Sequence, residues 1–112
     1  ATYQQSTEDW YKGVAYTRLQ PGGGVVLILT RWHETDLAGR LLGDSAGGNG
    51  DQWRVVSFPA IAEADEEYRD EGEALHPERY SLEQLHKIKQ AVGSRVWASL
   101  YQQRPAALEA AL

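Results

Sequence analysis

Between Thr30 and Asp36 the chain reads Thr-Arg-Trp-His-Glu-Thr-Asp, its densest run of side chains that can move protons, hold anions or ligate metals. His33, Glu34 and Asp36 offer one imidazole and two carboxylates, a donor set suited to a divalent cation. His76 and Glu78, flanking Pro77, offer a smaller set. The H-E-x-x-H pattern, which puts two histidines on one helical face, is absent. Acidic residues at the start of a helix also have a simpler use, since they complement its dipole. No metal site is expected, and a metal hydrolase built on His33, Glu34 and Asp36 ranks behind two other readings given below.

Two glycine runs, Gly22-Gly23-Gly24 and Gly47-Gly48-Asn49-Gly50, invite a phosphate-binding reading. A P-loop needs G-x-x-x-x-G-K-[ST], because its lysine reaches the β- and γ-phosphates and its hydroxyl holds magnesium. Neither run is followed by that lysine, and turn chemistry accounts for both. No glycine-flanked serine elbow and no Ser–His–Asp order is legible. With no cysteine in the chain, thiolate catalysis, disulfides and cysteine-ligated metals are excluded, and the cytoplasm is the expected compartment.

The elements that must position these residues punctuate themselves. Ser6 with Asp9 resembles a shortened capping box, and Trp10, Tyr11, Val14, Ala15 and Leu19 recur at helical spacing until Pro21 and the glycines stop them. Val25 to Thr30 is apolar without alternation, the pattern of a strand covered on both faces. Leu37, Ala38, Leu41 and Leu42 mark a helix, and Asp44 to Asp51 reads as a loop. Trp53 to Phe58, ended by Pro59, reads as a second strand, which completes a βαβ unit. The stretch from there to about Tyr80 has no period and exceeds ordinary loop length, so it is expected to be an ordered loop or a flap. Ser81 and Gln84 form a second capping box before Leu85, Ile88 and Val92. Gly93 ends that helix, Ser94 is placed to cap the next, and Pro105 stops the last.

The 112 residues suit one small domain or a piece of a larger one, 42% of them apolar, with no run long enough to span a membrane and no signal-peptide pattern. Methionine is absent even at position 1, which predicts a processed, designed or cut-out chain. The net charge of −5 is uneven. Glu63 to Leu75 carries seven acidic residues against Arg69 alone, whereas His76 to Arg104 carries five basic residues against two acidic ones. That balance argues against free-standing nucleic-acid binding, leaves room for a local basic face, and makes the acidic run a solvated loop.

Four segments in order resemble one family, the large subunit of phage terminases, ATP-driven motors that package double-stranded DNA. They are Tyr16-Thr17-Arg18-Leu19-Gln20-Pro21-Gly22-Gly23 before the apolar run, and Thr30-Arg31-Trp32-His33-Glu34-Thr35-Asp36 continuing to Leu42. Pro59-Ala60-Ile61-Ala62-Glu63, followed by the acidic loop and Glu73 to Tyr80, is the third. Trp97-Ala98-Ser99-Leu100-Tyr101-Gln102-Gln103-Arg104-Pro105 is the fourth. The resemblance spans about Trp10 to Pro105. It implies an α/β fold: part of a RecA-like parallel sheet of the P-loop NTPase type, its βαβ unit flanked by an N-terminal helix and two C-terminal helices. Residues 1–105 would be the C-terminal portion of the ATPase domain, and 106–112 a tail or the start of a linker to an absent nuclease domain. Walker A, Walker B and the nuclease carboxylates would lie outside the chain. On this reading the chain alone is inactive and holds no cofactor, while ATP and Mg belong to the full-length parent. The implied partners are double-stranded DNA, the small subunit, the portal protein and other large-subunit copies, in the host bacterial cytoplasm and without a membrane.

The same resemblance gives Thr30 the role of the polar residue that ends a strand, senses nucleotide and couples hydrolysis to DNA movement; the competing reading is a strand-end residue that caps the next turn. Arg31 pairs with a phosphate or with a neighbouring carboxylate, either of which suits its bidentate fork. Trp32 is expected in the core. His33, Glu34, Asp36 and Arg40 are nucleotide- or DNA-proximal candidates, with Asp36 and Arg40 also spaced for a surface ion pair. Arg79, Gln103 and Arg104 line a DNA path, face the nuclease or remain solvated. The two strands would lack the one between them, so the chain is expected to pair them directly or to dimerise. The alternative to a motor fragment is a free-standing, prophage-derived interaction module with no catalysis of its own.

Overall fold

The computed structural model describes residues 2–105. Within them three α-helices form, and the chain divides into two compact units. Of the described residues, one takes in 2–29 together with Thr35–Trp53; the other takes in Thr30–Glu34 and 54–105. None of the helices is long and apolar enough to cross a membrane.

In the first unit, α1 (Tyr3–Trp10) continues through a π turn at Tyr11–Ala15 into a 3-10 turn at Tyr16–Arg18. Its cap is Thr2, whose hydroxyl accepts from the Gln5 amide at 3.0 Å, so the helix starts before the expected Ser6. Thr2-x-x-Gln5 is the capping pattern that the Ser6 reading overlooks. The second helix, α2 (Leu37–Ala46), is capped by Asp36, whose carboxylate accepts from the Gly39 amide at 2.8 Å. It runs into the expected Asp44–Asp51 loop and closes at Gly47. Tyr11 and Leu41 are the buried apolar residues here, and polar links join the helices: Arg40 Nη1 to Glu8 at 3.1 Å and Lys12 Nζ to Asp44 at 3.0 Å.

In the second unit, α3 (Leu82–Val96) begins at the expected capping box, Ser81 and Gln84 each satisfying the other's backbone amide. Gly93, at φ 85° and ψ 166°, breaks the helical path where the sequence says it must; a side chain there would be strained. A π turn at Trp97–Tyr101 follows. Ala74, Leu85 and Trp97 form the core, with Ile61, Ile88, Val92 and Tyr101 packed against it. The Tyr101 ring stacks on Trp97 at 5.2 Å between centroids.

The expected α/β fold does not form. Among the described residues there is no strand and no sheet; the only β pairing is an isolated antiparallel bridge between Ile61 and Ala74. Val25–Thr30 and Trp53–Phe58 are neither strands nor paired with each other, so the βαβ unit and the direct closure of the gap are both overturned. Val26 is 85% and Ile28 94% exposed, and Val55, Val56 and Phe58 are exposed too. The reason is physical: a helix closes its hydrogen bonds within itself, but a strand needs a neighbour to accept and donate. An apolar run states a strand's side-chain preference without supplying that neighbour. Trp32, expected in the core, is 68% exposed.

The acidic stretch is an ordered loop. The Ala62 amide donates to Glu73 O at 2.9 Å and Gly72 donates back to Ala62 O at 2.8 Å. The loop's one basic residue, Arg69, is buried at 8% exposure. Its Nε and Nη2 grip the two Glu66 oxygens at 2.8 and 3.1 Å, and Nη1 donates to Glu73 O. The expected tail, 106–112, lies outside the described residues.

Candidate functional site

Thr30–Glu34 is a short excursion. Its neighbours on both sides in sequence belong to the first unit, whereas these five residues group with the second. What holds them there is visible at Arg31, whose backbone amide donates to Gln103 Oε1 at 3.0 Å. Gln103 also donates from Nε2 to Leu100 O at the end of the π turn, so its amide bridges the excursion to the helical end of the unit. Gln103 itself has φ 58°, the one non-glycine residue with a left-handed backbone among those described. Such a conformation costs on the order of 1–3 kcal/mol and persists only where its surroundings over-determine it.

The preceding residue works in parallel. Gln102 is buried, accepts from the Ile61 amide at 3.0 Å and donates to Ile61 O at 2.8 Å, so its side chain pairs with backbone as a neighbouring strand would. Arg104 then clamps Glu63: Nε reaches both carboxylate oxygens at 2.9 and 3.0 Å, and Nη2 reaches Oε2 at 2.8 Å. This pairing holds the Glu63 carboxyl below its ordinary range and the Arg104 guanidinium above its own. The run Gln102-Gln103-Arg104 therefore spends each side chain on an internal link. Gln102 is missed by a reading of the sequence because nothing local marks a glutamine that will meet a backbone 41 residues away.

The remaining candidates scatter. Thr30, His33 and Glu34 are exposed on the excursion, beside half-buried Arg31. Asp36 and Arg40 belong to the first unit, where Asp36 caps α2 and Arg40 turns its guanidinium to Glu8, Gln5 and the Thr35 carbonyl. Lys12, at 3.0 Å, and then Arg40 hold the Glu8 carboxyl below its ordinary range. Arg79 lies 5.8 Å over the Tyr80 ring, and His76 Nδ1 faces Glu78 at 3.3 Å. The structure thus brings Arg31 and Gln103 together and leaves Arg79 and Arg104 with partners of their own. No group of three or more His, Cys, Asp or Glu among the described residues is placed to hold a metal ion.

Three amides of the glycine runs, where a phosphate cradle for the parent's ATP would lie, are spent on turns. The Gly23 amide closes a turn on Gln20 O at 2.8 Å. The amides of Gly47 and Gly48 are taken by Gly43 O at 3.1 Å and Ser45 O at 3.2 Å, finishing α2. A phosphate cradle needs several convergent, free N–H groups, and these three are committed elsewhere.

A family model described as "Terminase large subunit, T4likevirus-type, N-terminal" matches residues 4–104. No curated protein and no solved structure matches the chain.

Proposed function

The chain belongs to the T4-like terminase large-subunit family, and from that premise we propose that it serves as a coupling segment of an ATP-driven motor that packages double-stranded DNA. The observation that supports this reading is the hydrogen bond from the Arg31 amide to Gln103. Thr30 presents a hydroxyl on an exposed excursion, and Arg31, next in sequence, is tied through one amide side chain to the end of the helical unit. Displacement of Thr30 is therefore transmitted to the segment after α3 instead of being absorbed by a slack loop. The left-handed Gln103 keeps that connection short. Nucleotide and magnesium are held by other parts of the assembled motor, in the host cytoplasm, where DNA, the small subunit, the portal and further large-subunit copies are the partners.

The test is a packaging reaction with the large subunit carrying this segment. Gln103→Ala is expected to lower the length of DNA moved per nucleotide hydrolysed about tenfold, the effect of roughly 1.4 kcal/mol of lost coupling, while hydrolysis itself continues. Thr30→Ala is expected to do the same, and Thr30→Ser to restore most of the loss. Parental packaging in both alanine variants would overturn the reading.

A further inference from the structure

The first unit contains an open pocket of about 350 Å³ that none of the foregoing uses, lined by Tyr11, Tyr16 and Trp53 with Lys12, Asp44 and Asp51. That volume is in the range of small-ligand sites. Its aromatic walls are set at angles: Tyr11 meets Tyr16 at 6.1 Å between centroids and 63°, and Trp53 at 6.4 Å and 52°. The rings thus present both faces and edges to the space between them.

Two polar features of this pocket are unfinished. Tyr11 is 4% exposed, yet its hydroxyl has no hydrogen-bond partner among the described residues. A buried hydroxyl without a partner costs about 1–3 kcal/mol, so an occupant that completes it is favoured. Asp51 receives a single long contact among the described residues, from the Tyr16 hydroxyl at 3.4 Å. Its charge is close enough to raise the Tyr11 phenol, though burial raises it more. Lys12, by contrast, is already satisfied by Glu8 and Asp44, each at 3.0 Å. What remains is a carboxylate with spare lone pairs, a phenol oxygen able to accept, and ring faces that attract positive charge.

We propose that this pocket receives a guanidinium group, the head of an arginine side chain of a protein partner, stacked on an aromatic face with its N–H groups given to Asp51 and Tyr11. Guanidinium fits better than the other cations because it is planar and carries several N–H donors in a fixed fork. A quaternary ammonium would engage the rings but leave both oxygens unanswered. A lysine ammonium would answer the oxygens but not stack.

Titration of the full 112-residue chain with N-acetyl-arginine amide, followed by the indole N–H resonance of Trp53, tests this. The expected result is a saturable shift, with N-acetyl-lysine amide binding at least about fivefold more weakly and tetramethylammonium producing none. Tyr11→Phe and Asp51→Asn should each weaken binding about tenfold, the usual scale for a hydrogen bond to a charged group. Tyr11→Phe should do so without lowering the melting temperature, because it removes a hydroxyl that has no partner among the described residues. An unsaturable titration, equal binding of tetramethylammonium, or parental affinity in both variants would overturn the proposal.

Discussion

Val25 to Leu29 is the most apolar stretch of the chain, yet Val26 and Ile28 stand 85% and 94% exposed. Glu63 to Leu75 is the most acidic, yet it closes around a buried Arg69 and supplies Ala74 to the core. The difference lies in where each segment finds its hydrogen bonds. The backbone amides of the acidic loop find their acceptors within it and the adjacent Ala60–Ala62: Glu66 N–H reaches Arg69 O at 2.7 Å, Glu71 N–H reaches Asp65 at 2.9 Å, and Leu75 N–H reaches Ala60 O at 2.9 Å. The apolar run must borrow partners from a distant segment, and none is supplied among the described residues. Hydrophobicity favours burial, but it does not by itself satisfy the amides that burial would strand.

That contrast can be broken or sharpened by substitution, with urea-unfolding midpoints as the measurement. The largest effect is expected from Leu85→Ala, which empties a site at 4% exposure in the core against which the loop packs; the loss should be about 2–5 kcal/mol. Next comes Arg69→Met, which keeps the aliphatic bulk but takes from Glu66 its paired guanidinium and leaves Glu73 O with the Ala62 amide alone. It should cost about 2–3 kcal/mol and free the amides of the loop to exchange. If Arg69→Met proved neutral, the loop would be held by its backbone bonds alone and the contrast would rest on them. The smallest effect is expected from Ile28→Thr, within about 0.5 kcal/mol, because almost none of that side chain is withdrawn from water. A loss comparable to that of Leu85→Ala would show that the apolar run is buried in solution and would erase the contrast.

The same distinction separates what was legible beforehand from what was not. Ser81 with Gln84, Asp36 before α2 and Gly93 at the break in α3 were all readable, since each acts on a backbone group within four residues of itself. The start of α1 was readable as well, through Thr2 and Gln5, and was misplaced because Ser6 offered a second, similar signal. The candidate site was half legible. Thr30, Arg31 and Gln103 stand out as residue types in a family pattern, but the bond between Arg31 and Gln103 joins residues 72 apart. The open pocket lined by Tyr11, Tyr16 and Trp53 left no trace at all, because Tyr11 reads simply as one position of an apolar stripe.

Local chemistry in the sequence therefore settled that the helices form, the capping box of α3, the glycine break and membership in a terminase family, but not the cap of α1. Tertiary structure alone decided that the two apolar runs stay unpaired, that the lone arginine of an acidic loop lies at its centre, and that Gln102 stands in for a strand. A helix or a cap is complete within a few residues, so its energy is written in neighbouring letters. A sheet, a buried ion pair or an aromatic cavity gains its energy only when remote residues meet, and the chain's path decides which of them do.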